Sequence, residues 1–406
     1  MREKIKWAEN KLKRSYPEKE MKIMELEEVE KARRFQKSFS EYAETPLVNL
    51  TNLAEFLGLS TICIKDESYR FNLNSFKALG ASYAMGNYIA RLLNKDIDEL
   101  DYKTITSDEV RKKIGDITFF ATTDGNHGRA VAWTANRLKQ KMIVYMPKGS
   151  SQSRLLNIRK EGADVSILDL NYDDAIRYTI EETKKVPNGV IVQDTSWEGY
   201  EDIPNWIMEG YGTTALEAYE QLKKMDIERP THIFLQAGVG CFAAAAQGFF
   251  ANVYKDDPPI VTIVESNKAD CYYKSIIAND GEYRTVGGDM DTIMVGLACG
   301  EPNPTTWNII KNNSLYYVSC PDWVTARGMR ILGNPLKVDT KVISGESGAV
   351  TLGLLTTITM FKEYEDLKNE LKLDKNSKVL LFSTEGDTFP ERYRSIVWDG
   401  EYSSVK

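Results

Sequence analysis

The chain has 406 residues, 42% of them hydrophobic and 27% charged, which gives room for two domains with full cores in an ordinary globular composition. A formal net charge of -7 argues against nucleic acid as the main partner. The five cysteines (Cys63, Cys241, Cys271, Cys299, Cys320) form no CxxC pair, and with only two histidines, His127 and His232, they offer no zinc spacing, so no metal is expected.

Taken in chain order, residues 1 to about 45 are densely charged and predict one or two exposed helices ending before Thr45-Pro46-Leu47. They lack the apolar core of a secretory signal, which points to a cytoplasmic protein. A polar stretch, Asp66 to Ser75, leads to Lys77, which opens an apolar, Ala- and Gly-containing helix. From Thr118 to Val192, strand-like runs (Thr118–Ala121, Met142–Met146, Val165–Leu168, Val190–Val192) alternate with helical ones (Arg129–Leu138, Gln152–Glu161, Tyr172–Lys185). That alternation predicts a parallel sheet covered on both faces. The polar segment Gln193–Pro204 reads as the crossing to a second α/β unit, whose strands are Ile233–Leu235, Ile260–Val264 and Val379–Phe382. The uncharged run Ile233–Tyr254 holds Gln236, Gln247 and Asn252 and reads as a buried strand, loop and helix rather than a membrane span. Cys271 and Cys299 fall in polar, loop-like surroundings, where a redox pair is one reading and two buried thiols the other.

Three segments carry chemistry. Lys77 lies in Asn74-Ser75-Phe76-Lys77-Ala78-Leu79-Gly80-Ala81, and an amine partly desolvated at a helix start has the lowered pKa that Schiff-base formation with pyridoxal phosphate needs. Alone, such a lysine is more often a solvated charge. Two loops change that balance: Thr122-Thr123-Asp124-Gly125-Asn126-His127-Gly128 and Gln236-Ala237-Gly238-Val239-Gly240-Cys241 each join a strand to a helix. Their bare N–H groups and helix N-termini form neutral anion cradles. Neither has the lysine of a phosphate-binding P-loop or the glycine spacing of a dinucleotide site. Asp124, Asp194 and Gly238 each follow a strand, where ligands of parallel sheets bind.

With these residues on the page, the chain resembles the fold type II, tryptophan-synthase-β-like pyridoxal-phosphate enzymes, and among them the diaminopropionate ammonia-lyase family. The resemblance runs from about Tyr42 to Trp398. It rests on the runs Arg70–Lys77, Ala121–Arg129, Tyr145–Ser150, Val192–Tyr200, Leu297–Pro304, Ser344–Ala349 and Ser383–Thr388. It implies an α/β, two-domain fold, each domain a mostly parallel sheet flanked by helices, with the active site in the interdomain cleft. The larger, cofactor-binding domain would comprise residues 1–79 and 201–406, with an N-terminal helical arm, and the smaller one residues 80–200.

By the same resemblance, Lys77 is the Schiff-base lysine and Asn126 bonds the cofactor's phenolic oxygen. The amides of Gly238, Val239, Gly240 and Cys241 hold its phosphate. Thr384, or the neighbouring Ser383, faces the pyridine nitrogen, and a neutral hydroxyl there suits elimination chemistry. The implied reaction is α,β-elimination of 2,3-diaminopropionate to pyruvate and two ammonia by a homodimer acting on a small amino acid. Asp124 stands where related dehydratases and racemases have a small residue. It would attract a β-ammonium group and serve as base for the D form, opposite Lys77 for the L form, and Asp194 would also grip the β-ammonium. Bland readings remain open: Asp124 as a helix cap, Asp194 as a loop hydrogen-bonder, His127 as a structural part of its loop. The rival functions are a serine or threonine dehydratase, or a related β-substituting synthase, of the same fold, and a non-catalytic cofactor-binding regulator.

Overall fold

The computed structural model describes residues 3–13, 15–123 and 125–404, and forms two compact units. One gathers the chain up to Leu26, Glu44–Tyr69 and everything from Thr214 on; the other comprises Glu27–Ala43 and Arg70–Thr213. The strands, in chain order, are β1 (Lys6–Glu9), β2 (Leu47–Asn49), β3 (Thr61–Asp66), β4 (Thr118–Thr122), β5 (Lys141–Met146), β6 (Asp164–Ile167), β7 (Gly189–Ile191), β8 (His232–Gln236), β9 (Ile260–Ser266), β10 (Tyr316–Cys320) and β11 (Lys378–Ser383).

The first unit holds a seven-stranded sheet in the order β1-β10-β9-β8-β11-β3-β2. Its five inner strands pair in parallel, and β1 and β2 close the two edges antiparallel. The inner strands read as near-continuous apolar runs, as strands covered on both faces must. In β8 (HIFLQ) and β10 (YYVSC) every residue is buried. The second unit holds an all-parallel four-stranded sheet, β6-β5-β4-β7.

Each sheet has one point where strand order reverses. From β4 the chain steps outward to β5 and β6, then returns to lay β7 on the other side of β4. From β8 it steps to β9 and β10, then lays β11 on β8's other side. A crevice opens beyond the carboxyl ends of strands at such reversals, and ligands bind there. In the second unit that places the loop after β4 beside the loop after β7; in the first, the loop after β8 beside the end of β11.

The α/β alternation holds, with strand ends within a residue or two of expectation and the helix Tyr172–Lys185 as predicted. The N-terminal segment differs. It contributes edge strand β1, and its helix Leu26–Lys37 buries Val29, Ala32, Phe35 and Gln36 rather than lying exposed. The uncharged run from Ile233 is β8, a loop and the buried helix Cys241–Val253, and no helix among the described residues is long and apolar enough to cross a membrane. None of the five cysteines is joined in a disulfide. Cys271 is fully buried at the start of a helix rather than in a polar loop, with its Sγ 3.6 Å from Glu265 and 3.7 Å from the Cys299 carbonyl oxygen.

Candidate active site

The backbone leading to Lys77 is strained. Phe71, Asn72 and Asn74 all have positive φ (49°, 58°, 60°), which for an aromatic residue is rare and costs on the order of 1 kcal/mol or more. Packing holds it there: the Phe71 ring lies 5.0 Å from Trp133, 6.0 Å from Tyr42 and 6.1 Å from Phe39. The chain then enters the helix Lys77–Leu92, whose first residue is the lysine itself.

Lys77 Nζ donates to Asp194 Oδ2 at 2.8 Å, and the two side chains are only 19% and 10% exposed. The rings of Phe76 and Tyr211 lie 5.3 and 5.5 Å from the ammonium nitrogen. Burial pushes the Asp194 carboxyl up, but the Lys77 ammonium outweighs it and holds the carboxyl at about 2. It is therefore a carboxylate at any working pH.

Asp194 is fixed by the ends of β4 and β7. Gln193 reaches back to the Thr122 backbone, accepting its N–H at 3.2 Å and donating to its carbonyl at 2.8 Å, so the amide side chain extends the ladder past β7. The Tyr200 hydroxyl accepts the Gln193 N–H at 2.8 Å and donates to the Ile191 carbonyl at 3.0 Å. His127 Nε2 donates to the Val192 carbonyl at 2.9 Å. That bond sets the imidazole tautomer, and burial pushes the ring's pKa down, so Nδ1 carries a lone pair with no hydrogen bond among the described residues. Asn126 and His127 open the helix Asn126–Arg137, with Gly125 at its N-cap. Gly128 has to be glycine, because a Cβ would sit 2.1 Å from Thr123 Cγ2. Asp124, the residue on which the specificity argument leans, lies outside the described residues.

In the other unit, the loop Gln236–Gly240 runs from β8 to the N-terminus of the thirteen-residue helix Cys241–Val253. Gly240 has φ +102°, and a Cβ there would lie 1.9 Å from Tyr272 Oη, so only glycine allows this turn. Beyond β11, Thr384 Oγ1 accepts from Gln236 Nε2 at 3.1 Å, which leaves the threonine proton for another acceptor. Ser383 Oγ instead donates to Ser344 Oγ at 2.8 Å.

Comparison with known proteins fits this geometry. The profile of pyridoxal-phosphate dependent enzymes matches residues 39–383. Diaminopropionate ammonia-lyase of Salmonella typhimurium (strain LT2) is 50% identical over 369 residues, 90% of this chain and 91% of the relative. The chain belongs to the diaminopropionate ammonia-lyase family. The Escherichia coli (strain K12) member is 47% identical over 92% of each chain. A crystal structure of the holo Escherichia coli lyase matches with a TM-score of 0.91, 43% identity and 98% coverage of both chains. Threonine deaminase isoform 2 of Solanum lycopersicum, at 18% identity and a TM-score of 0.72, shares the fold.

The family's cofactor is pyridoxal phosphate, and the residues present fit it: a half-buried amine in Lys77, a glycine cradle at a helix N-terminus, and a hydroxyl in Thr384 with a proton to give. Sequence reasoning overlooked four contributors within the second unit: the rings of Phe76 and Tyr211, and the Gln193 and Tyr200 latches. Gln193 and Tyr200 stand inside a quoted motif, which was the available signal, whereas Tyr211 carries none.

Proposed function

We propose that this lyase eliminates ammonia from both enantiomers of 2,3-diaminopropionate, giving pyruvate and two ammonia. The observation that carries the reading is the Lys77–Asp194 pair: an amine and a permanently ionised carboxylate 2.8 Å apart with little solvent between them. Membership of the family supports it, and the Escherichia coli lyase has been crystallised with an aminoacrylate–pyridoxal-phosphate azomethine reaction intermediate.

Lys77 would anchor the cofactor aldehyde, Asn126 its phenolic oxygen, the amides of Gly238, Val239, Gly240 and Cys241 its phosphate, and Thr384 its ring nitrogen. When bound, pyridoxal phosphate supplies the electron sink that makes the substrate's α-proton acidic. The freed neutral amine of Lys77 takes that proton from the L form, and Asp124 takes it from the D form. Asp194, ionised throughout, attracts the cationic β-amine, as it attracts the Lys77 ammonium in the cofactor-free protein, and the β-nitrogen leaves as ammonia. The released enamine takes up water to give pyruvate and the second ammonia. A neutral β-hydroxyl would leave both carboxylates without a cation, which disfavours serine. We further place the enzyme in the cytoplasm as a homodimer, which sedimentation would test.

The test is product stoichiometry. Each enantiomer should yield two ammonia per pyruvate; absence of pyruvate from either would overturn the reading for that enantiomer.

A further inference from the structure

The segment Leu297–Pro304, prominent in the sequence, takes no part in the chemistry above, and it leads to the most heavily bonded carbonyl of the glycine loop. The Val239 oxygen receives the Asn303 N–H at 3.0 Å and lies 2.9 Å from Tyr272 Oη and 3.1 Å from Thr306 Oγ1. The two hydroxyls are 2.6 Å apart and Thr306 Oγ1 also lies 2.7 Å from the Asn303 carbonyl, so Tyr272 donates to the Val239 carbonyl and Thr306, with its one proton, braces the Tyr272 hydroxyl. Tyr272 and Thr306 are fully buried, and Asn303 and Val239 nearly so.

The donors are themselves held. The backbone N–H groups of Tyr272 and Tyr273 both go to the buried Glu265 carboxyl group, at 2.8 and 2.7 Å. Asn303 caps the helix Pro304–Asn313, accepting the Thr305 N–H at 3.0 Å.

Holding this carbonyl orients more than itself. In a trans peptide the C=O and the following N–H point in opposite directions. A Val239 carbonyl turned onto Tyr272, Thr306 and Asn303 therefore turns the Gly240 N–H away from them. Gly240, free of a Cβ, offers little resistance to a flip of that peptide, and a flip would present an oxygen to an anion where an N–H is needed.

We propose that Tyr272 and Thr306, with the Asn303 backbone, form a clamp on the Val239 carbonyl that keeps the glycine loop in its anion-accepting conformation. They are positioning residues for the cofactor phosphate, and the proposal rests on the reading that this loop holds it.

The experiment measures dissociation of pyridoxal phosphate, and of pyridoxal without the phosphate, from full-length enzyme by absorbance, for wild type, Tyr272→Phe, Thr306→Val and Thr306→Ser. Loss of the Tyr272 donor, or of the Thr306 hydroxyl that braces it, should weaken pyridoxal phosphate about tenfold in Tyr272→Phe and Thr306→Val. Pyridoxal should be unaffected, and Thr306→Ser should behave as wild type. Equal weakening of both aldehydes, or none, would overturn the clamp, and the Val/Ser pair keeps it testable if Tyr272→Phe folds poorly. A wild type that binds both aldehydes equally would instead remove the phosphate reading of the loop, and the clamp with it.

Discussion

Replacing Asp194 with asparagine removes the charge 2.8 Å from Lys77 Nζ and keeps the side chain's shape. Against the upward push of burial, the Lys77 ammonium brings the carboxyl from 3.8 down to about 2. At about 1.4 kcal/mol per unit, the site's net preference for the ionised form is on the order of 2.5 kcal/mol. The attraction to Lys77 is mutual, so Asp194 favours the ammonium form of the lysine. In Asp194→Asn, the pH at which the apoenzyme half-maximally captures pyridoxal on Lys77 should therefore move down. Absorbance of the imine across a pH series reads this directly. Because the folded carboxyl is depressed, its stabilisation is complete above the ordinary 3.8 and fades as pH falls through 2. The stability gap between wild type and variant should thus be constant near neutrality and close only in strong acid. Coincident capture profiles for the two proteins would refute the idea that this pair sets the protonation of Lys77.

Other substitutions probe separate parts of the molecule. Gly240→Ala places a methyl 1.9 Å from Tyr272 Oη at φ +102°; a cost of about 1–3 kcal/mol should weaken pyridoxal phosphate on the order of 10- to 100-fold by equilibrium dialysis, with the far-ultraviolet dichroism unchanged. Lys65→Met removes a fully buried ammonium 2.6 Å from the Glu217 carboxylate, which should cost about 3–5 kcal/mol in urea unfolding; adding Glu217→Gln should recover part of it. Asp124→Ala should abolish turnover of D-2,3-diaminopropionate and spare much of the L reaction; equal loss on both would sink the two-base scheme.

The second unit was the more legible half of the fold. Its strands and helices alternate with short polar breaks, so Thr118–Ala121 and Tyr172–Lys185 declare themselves by period alone. In the first unit β3 was hidden, because Lys65 and Asp66 look like surface charge. Lys65 is in fact a strand residue whose charge is met internally by Glu217, Gln221 and the Thr45 carbonyl. The edge strand β1 was hidden likewise: Lys6 and Glu9 flank a short segment whose partner, β10, lies some three hundred residues away. At the site, the lysine and glycine loops carry local signatures. The pairing of Lys77 with Asp194 does not, since 117 residues separate them and only the reversal of strand order beside β4 brings the loop after β7 into reach. Tyr272, Thr306 and the Val239 carbonyl have no local pattern at all. Their role exists only in the geometry of one peptide plane.

The most direct test of the central claim is the ratio of kcat/KM for L-2,3-diaminopropionate to that for L-serine, measured as pyruvate release by the purified holoenzyme. A carboxylate held ionised beside the reacting amine predicts a strong preference for the diamine, with L-threonine as poor as serine. Serine or threonine turning over faster would contradict it, and would make this chain a hydroxyamino-acid dehydratase.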